Sequence, residues 1–162
     1  MGLMLLKGLP PIIDERARVL ILGSFPSEAS LAARHYYAHR QNQFWRVLAA
    51  VLDLPLVEFD YPAKQAAVKA AGLAIWDVYG ACERQGSLDS AIRAGEPNRF
   101  DRLARLAPDL CRVCFNGRAA AKFEPNLTAL GYETVVLPST SPANAGWSFE
   151  RKLEAWRLAL RS

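Results

Sequence analysis

Polar side chains that can do chemistry follow four short apolar stretches of this chain. They lie in residues 23–27, 77–80, 116–117 and 138–144, and they supply carboxyl, amide and hydroxyl groups. Such groups accept and donate hydrogen bonds, so they can read the edge of a ligand, position water or hold a phosphate oxygen without a cation. None of the four segments contains a lysine, so none offers a Schiff-base nucleophile.

Several other chemistries are disfavoured by motifs that the sequence lacks. It contains no G-x-G-x-x-G, no P-loop and no zinc-deaminase signature. His35 and His39 have the spacing that a shared metal needs on a helix, but residues 29–52 contain no acid to complete the site. Cys111 and Cys114 fall in a predicted strand, where they face opposite sides, and are interpreted as two buried thiols. We therefore expect neither a metal nor a cofactor.

Residues 29–52 combine basic and aromatic side chains. Cations hold phosphates and aromatic faces stack on unpaired bases, so this composition favours a nucleic-acid site. The alternative is that the rings belong to the core and the arginines are solvated. The side chains concerned are Arg34, Arg40, Arg46, Tyr36, Tyr37, Phe44 and Trp45.

The apolar stretches at 19–22, 73–76, 113–115 and 134–137 have the continuous hydrophobicity of strands buried on both faces. Helical patterns lie between or after them, at 43–52, 63–71, 98–106, 117–130 and 148–160, with Asn98 and Ser148 as helix caps. This alternation predicts an α/β sandwich around a parallel sheet. Ligands bind such sheets beyond the carboxyl ends of the strands, where the four polar segments lie.

The length and composition are those of one domain. Of 162 residues, 51% are hydrophobic and 22% are charged, and the net charge of +4 permits an acidic partner without requiring one. The odd number of cysteines, and the absence of an export signal or a spanning apolar stretch, favour a reducing compartment. We expect one domain over residues 1–162, cytoplasmic and not in a membrane.

The motifs after the predicted strands, in their order and spacing, resemble those of the uracil-DNA glycosylase superfamily. They are LGSFPS at 22–27, YY at 36–37, NQFWR at 42–46, WDV at 76–78 and LPSTSPAN at 137–144. The chain is most similar to the branch of deoxyinosine or hypoxanthine-DNA glycosylases, family 6, over about residues 19–156. The resemblance implies a three-layer sandwich with a four-stranded parallel sheet. It also implies a metal-independent enzyme, expected to be monomeric, that removes a deaminated base flipped out of DNA.

Roles follow from the resemblance residue by residue. Phe25 stands where the superfamily presents an acid or amide that holds the attacking water, and the branch passes that function to Asn42. Tyr37 is expected to stack on the flipped base. Asp77 is expected to accept a hydrogen bond from its N–H edge, and Asn116 to make a second contact with base or water. The last four have structural alternatives: a helix cap for Asn42, a core ring for Tyr37, a strand end for Asp77 and a turn for Asn116.

The remaining roles concern the phosphates and the leaving base. The expected contacts to DNA come from Ser139, Thr140, Ser141, Pro142 and Asn144. Leu137 stands where related enzymes often have a histidine that stabilises the leaving base, so the backbone N–H groups of Ser24 and Phe25 are expected to act instead. The small residues Pro142 and Ala143 replace a bulky wedge, which predicts a preference for weakly paired bases.

Two alternatives stay open at this stage. The same scaffold could be specific for uracil or for mismatches. The replacement of the acid by Phe25 also fits a catalytically silent module that binds DNA or nucleotides.

Overall fold

Four parallel strands form the central sheet. The computed structural model describes residues 4–161, and these contain β1 (Leu5–Lys7), β2 (Val19–Gly23), β3 (Leu73–Asp77), β4 (Tyr79–Glu83), β5 (Arg93–Pro97), β6 (Arg112–Asn116) and β7 (Glu133–Leu137). The central sheet has the order β3-β2-β6-β7, with every pair parallel. The expected four-stranded parallel sheet is confirmed, and each strand lies within one residue of its predicted bounds. The prediction of one domain over 1–162 extends to residues 1–3 and 162, which lie outside the described residues.

Seven α-helices in residues 4–161 pack around this sheet. They are α1 (Glu28–Ala33), α2 (Phe44–Leu52), α3 (Tyr61–Ala70), α4 (Leu103–Leu106), α5 (Arg118–Ala121), α6 (Glu124–Ala129) and α7 (Phe149–Leu160). The helix predicted over 117–130 is divided into α5 and α6, because Pro125 starts a new helix in its first turn. Ser148 caps α7 as expected, with its Oγ accepting from the Arg151 N–H at 3.2 Å. No helix in the described part of the chain has the length and apolarity needed to cross a membrane.

The two faces of the sheet bury separate cores, which makes three layers. Alternate strand residues point to opposite faces. Ile21 and Cys114 belong to the core that contains Phe44 of α2 and Trp156 of α7. Leu20 and Phe115 belong to the other core, which also contains Leu103 of α4 and Leu127 of α6. The three-layer sandwich expected from the sequence is thus confirmed.

A second, antiparallel sheet was not predicted. β1, β4 and β5 pair in the order β1-β4-β5. All five residues of β5 are exposed, so it lacks the apolar pattern by which strands are recognised. The expected cap at Asn98 is wrong for the same region: its Nδ2 donates to the carbonyl of Asp77 at 2.7 Å. Asn98 therefore ties the end of β5 to the end of β3.

The cysteines are only partly as expected. Cys82 and Cys114 are buried, but Cys111 is exposed. It precedes β6, and its Sγ lies 3.3 Å from the Arg18 carbonyl oxygen. The prediction of two buried thiols at 111 and 114 was wrong for Cys111, because the strand begins one residue later.

Candidate active site

A pocket of about 650 Å³ opens at the carboxyl edge of the central sheet. Its walls come from the last residues of β3 and β6, and from the loops after β2 and β7. The segment between α1 and α2 and the loop between β4 and β5 complete them. This is the location expected for an open parallel sheet. Apart from Asn144, every predicted site residue lines it: Asn42, Asn116, Ser24, Phe25, Tyr37, Asp77, Ser139, Thr140, Ser141 and Pro142.

Asp77 ends β3 with its carboxyl group in the pocket wall. The residue is only 4% exposed, and Oδ2 has no hydrogen-bond partner among the described residues. Burial, followed by the charge of Asp89, raises the pKa of Asp77 to about 8, although the positive charge of Arg84 opposes this. At neutral pH the carboxyl group is therefore mostly protonated. It can donate as well as accept a hydrogen bond, whereas the sequence argument treated it as an acceptor.

Gly23 makes room for two of these side chains, a role that the sequence analysis missed. Gly23 pairs with Asp77 at the ends of β2 and β3. A Cβ atom at this position would lie 2.6 Å from Asp77 Oδ1 and 2.8 Å from the Tyr37 hydroxyl oxygen. The carboxyl and phenol groups thus approach the backbone where only glycine leaves space.

Tyr37 presents its ring to the pocket in a constrained position. Its backbone φ is +55°, in the left-handed region that non-glycine residues seldom adopt. The ring stacks on Phe44 with centroids 3.9 Å apart and planes 14° apart. Phe44 covers one face, so a base can stack only on the other. Burial and the charge of Asp77 raise the pKa of the phenol, which keeps it protonated.

Asn42 lies just before α2 and also lines the pocket. Its Oδ1 accepts from the N–H of Phe44, the first residue of α2, at 2.9 Å. The helix cap itself is Gln43, so the expected alternative of Asn42 as the cap is wrong, although Asn42 stabilises the same helix end from one residue earlier. One lone pair of the amide oxygen is used in this way. Among the described residues no acceptor contacts Nδ2, which leaves that group and the second lone pair for a water molecule.

The segment that carries Asn42 is held by neighbours on two elements. The Gln43 N–H donates to the Thr140 carbonyl at 3.0 Å. The Gln43 Oε1 accepts from Nζ of Lys152 on α7 at 2.8 Å, and Lys152 is only 2% exposed. Asn42 is therefore fixed against both the loop after β7 and the last helix.

Asn116 joins two walls of the pocket through its amide. Its Nδ2 donates to the Tyr37 hydroxyl at 3.3 Å and to Thr140 Oγ1 at 3.0 Å, while its Oδ1 accepts from the Thr140 N–H at 3.0 Å. Thr140 is fully buried. Both amide hydrogens are used inside the protein, so this geometry favours a positioning role for Asn116.

The loop over residues 138–144 is stabilised by hydrogen bonds between its own residues. Ser139 Oγ accepts from the Ser141 N–H at 3.1 Å, and Ser141 Oγ accepts from the Ala143 N–H at 3.2 Å. Asn144 does not line the pocket, but its Nδ2 donates to the Ser139 carbonyl at 3.1 Å. Because both serine oxygens accept from the backbone, their hydroxyl hydrogens can point outward to a phosphate oxygen.

Residues 29–52 contribute less to the pocket than their composition suggests. Tyr36, Phe44 and Trp45 are buried in the core, as the alternative interpretation held. The arginines of this segment are exposed, and of its other basic and aromatic side chains Tyr36, Tyr37 and His39 reach the pocket. His35 does not pair with His39 on a helix but stacks on Tyr61, with centroids 3.9 Å apart. Across residues 4–161 no group of three potential metal ligands is found.

Two further side chains at the pocket were missed by sequence reasoning. Asp89 follows β4 and lines the pocket, where its Oδ1 accepts from the Ser24 hydroxyl at 2.5 Å. His39 was considered only as a metal ligand, but its Nδ1 accepts from the Gln41 N–H at 3.1 Å. The neutral tautomer then carries its proton on Nε2, a possible donor to a ligand. Nothing in the spacing marked Asp89, because β4 and β5 were not predicted.

The chain is similar in sequence and structure to known proteins. Residues 10–160 match the sequence profile of the uracil DNA glycosylase superfamily. A protein of Methanosarcina acetivorans named hypoxanthine DNA glycosylase is 40% identical over 98% of this chain and 99% of its own. One of the same name from Methanosarcina barkeri is 39% identical over 96% of this chain and 98% of its own. A solution NMR structure from Methanosarcina acetivorans, provisionally described as a uracil DNA glycosylase, superimposes with a TM-score of 0.88, 40% identity and 98% coverage of both chains.

Proposed function

Because this chain belongs to the uracil DNA glycosylase superfamily, we propose that it is a monofunctional DNA glycosylase that acts on deaminated bases. It hydrolyses the N-glycosidic bond of hypoxanthine, the base of deoxyinosine, and leaves an abasic site. The names of the two relatives that are 40% and 39% identical support this substrate. The observation that carries the proposal is the pocket in which a buried carboxyl group, a stacking ring and an amide meet at the edge of the sheet.

The base must leave the double helix to reach this pocket. The volume of about 650 Å³ exceeds that of a purine, and Tyr37 offers the free face of its ring for stacking. Ser139 and Ser141 hold the phosphates beside the flipped nucleotide through their hydroxyl groups. Thr140, expected from the sequence to contact DNA, is instead fully buried and bonded to Asn116, so it positions the loop between the two serines. Pro142 and Ala143 offer little bulk to fill the vacated space, so a base that is already weakly paired is extracted at lower cost.

Asp77 recognises the edge that deamination creates. Deamination replaces an amino group by a carbonyl oxygen and adds a hydrogen to the adjacent ring nitrogen, so hypoxanthine presents an N1–H donor beside an O6 acceptor. A protonated carboxyl group accepts from the first and donates to the second. Because Oδ2 of Asp77 has no partner in the unliganded protein, the base satisfies a buried atom when it binds.

The chemical step depends on water and on the departing base. Asn42 positions the water molecule with its free amide hydrogens and lone pair. An amide does not remove a proton near neutral pH, so the sugar must become positive before water adds. The backbone N–H groups of Ser24 and Phe25 stabilise the base as it takes the electron pair of the broken bond.

The pocket also suggests what the enzyme does not use. Among residues 4–161, no lysine lines the pocket, so a lyase step through a Schiff base has no nucleophile there. We propose that the chain forms one glycosylase domain, acts as a monomer without a metal or cofactor, and works in the cytoplasm. Its partner is DNA that contains deaminated bases.

A nicking assay tests this proposal. Purified protein with chelator is incubated with end-labelled duplexes that hold one inosine or one uracil opposite each normal base, and alkali then cleaves abasic sites. We expect cleavage at inosine above uracil, and its loss with Asn42→Ala. Cleavage at uracil alone keeps the enzyme class but overturns the substrate, whereas intact binding without cleavage supports a silent DNA-binding module.

A further inference from the structure

The loop between β4 and β5 is attached to the segment after β2 by three hydrogen bonds, which join residues 86–89 to residues 24–28. The Ser24 hydroxyl donates to Asp89 Oδ1 at 2.5 Å, the Glu28 N–H donates to Ser87 Oγ at 2.9 Å, and the Gly86 N–H donates to Glu28 Oε1 at 3.1 Å. These contacts join residues 58 to 65 positions apart. The loop that carries Asp89 is therefore a fixed wall of the pocket.

Contacts of Arg84 with Phe25 and with two backbone carbonyl groups also hold the two segments together. Arg84 is 5% exposed, and its guanidinium carbon lies 5.2 Å from the centre of the Phe25 ring. Its Nη2 donates to the Pro26 carbonyl at 2.6 Å and its Nε to the Gly86 carbonyl at 2.8 Å. The aromatic ring at position 25, which cannot orient water, instead supports the arginine that anchors the loop.

Asp89 supplies the carboxylate of the pocket that results. Among the described residues that line the pocket, the carboxyl groups are those of Asp77 and Asp89, and no lysine or arginine is present. Burial keeps Asp77 mostly protonated at neutral pH, while Asp89 is exposed and accepts the hydrogen bond from Ser24. The carboxylate of Asp89 can therefore stabilise a positive charge that forms in the pocket. When an N-glycosidic bond breaks ahead of water attack, the group that becomes positive is the deoxyribose ring.

We propose that Asp89 supplies the carboxylate that position 25 lacks, and that it acts as the anion and proton acceptor of the hydrolysis. This inference rests on the proposed glycosylase function. The bond between C1′ and the base nitrogen breaks, its electron pair leaves with the base, and the positive sugar is stabilised by Asp89. Water held by Asn42 then forms the new bond to C1′ and gives its proton to Asp89. Asp89 then releases this proton to solvent and the departed base takes one up, so the net reaction consumes one water molecule and restores the carboxylate.

Asp89→Asn and Asp89→Glu test this role. Under single-turnover conditions with saturating enzyme, Asp89→Asn should excise hypoxanthine about 100-fold more slowly, a typical contribution of a positioned acid or base. Its affinity for DNA should not fall, because a negative charge near the phosphates has been removed. Asp89→Glu should recover part of the rate. The matched control is Asp109→Asn, which removes an exposed carboxylate outside the pocket and should leave the rate unchanged.

A titration separates a catalytic carboxylate from a merely structural loop contact. The charges of Asp89 and Arg84 shift the pKa of Asp77. The charge of Asp77 in turn raises the pKa values of three neighbouring phenols, Tyr36, Tyr37 and Tyr61. Loss of the Asp89 charge should lower the pKa of Asp77, measured from its carboxyl carbon by NMR, and move the alkaline limb of the pH–rate profile to lower pH. An active wild type with an unaffected Asp89→Asn variant overturns the role of Asp89 alone. A wild type that excises no base overturns both this role and the proposed function.

Discussion

Asp77 Oδ1 would lie 2.6 Å from a Cβ atom at Gly23, its register partner on the neighbouring strand. The Tyr37 hydroxyl oxygen would lie 2.8 Å from the same atom. Gly23 has no positive φ, so its backbone torsions do not require glycine. What requires it is the close approach of two pocket side chains to the end of β2.

Gly23→Ala should therefore disturb the pocket more than the fold. The new methyl group must displace either the carboxyl group or the phenol, and overpacking of this kind costs about 1–3 kcal/mol of stability. A small displacement of groups that contact substrate can cost about 100-fold in rate. We expect a loss of this order in kcat/KM with DNA affinity largely retained, measured by single-turnover excision and fluorescence anisotropy. Gly146→Ala, where a Cβ meets nothing within 4 Å, is the control.

Asn42 has a structural contact and a proposed catalytic role that substitutions can separate. Asn42→Ala removes the hydrogen bond to the Phe44 N–H and the amide proposed to hold water, so turnover should fall at least 100-fold and stability by about 1 kcal/mol. Asn42→Asp keeps an oxygen that can accept from the Phe44 N–H, so the free energy of unfolding should stay close to wild type while the rate changes. The rates come from excision assays and the stabilities from urea unfolding. If Asn42→Ala excises hypoxanthine as fast as wild type, Asn42 has no part in the mechanism.

The buried carboxyl group of Asp77 should make stability depend on pH. The pKa of Asp77 is about 8 in the folded protein, against an ordinary value of 3.8, so between these values the folded state holds one more proton than the unfolded state. Its contribution to stability is then fully present below about pH 4 and is lost as the pH rises through 8, by up to about 1.4 kcal/mol per pH unit. Urea unfolding of wild type and Asp77→Asn at pH 5, 6, 7 and 8 should diverge in favour of the variant. Parallel curves would contradict the burial argument.

Asp77→Asn should also change how base removal depends on pH. The wild-type group loses its donor when it ionises above pH 8, so hypoxanthine excision should decline there, whereas an amide keeps one donor and one acceptor at every pH. We expect the rate of the variant to stay level above pH 8 while that of the wild type falls about tenfold, the equivalent of one hydrogen bond. Single-turnover rates on matched inosine and uracil duplexes between pH 6 and 9 measure this. Profiles of the same shape for both proteins would remove Asp77 from base recognition.

The central sheet and the position of the pocket were predictable because their signals are local. Each strand of that sheet is a continuous apolar run, and a parallel sheet of such strands brings the segments that follow them to one edge. Asp77 and Asn116 each end a strand, so their convergence follows from the topology. The resemblance then supplied the side chains that the apolar pattern does not distinguish.

The small sheet and the loop it carries were not predictable by the same means. The exposed residues of β5 include arginine, glycine, glutamate and proline, which give no strand period. Asp89 reaches the pocket through a hydrogen bond to Ser24 across 65 residues, and neither its type nor its neighbours indicate that contact. The electrostatics of Asp77 likewise depend on its depth, which only the packed structure defines.

Asn116 provides the sharpest test of whether a predicted site residue acts on substrate or through its neighbours. Its amide spans Tyr37 and Thr140 with three hydrogen bonds, and Thr140 is fully buried. Removal of the amide leaves the N–H and hydroxyl of Thr140 without these partners, which costs about 1–3 kcal/mol. Asn116→Ala should therefore lower stability, turnover and DNA affinity together, because the loop over residues 138–144, proposed to hold phosphates, is displaced along with the Tyr37 ring.

A double-mutant cycle distinguishes the two roles. Thr140→Val removes the hydroxyl that contacts the Asn116 amide, and the wild type, the two single variants and the double variant complete the cycle. If Asn116 acts by positioning, Asn116→Ala and Thr140→Val should be coupled by about 0.5–3 kcal/mol in the free energy of unfolding, and the rate effects should be similarly non-additive. If Asn116 instead contacts water or base directly, Asn116→Ala should lower the rate with little change in stability or DNA affinity. Urea unfolding, anisotropy and single-turnover rates on the same four proteins decide between them.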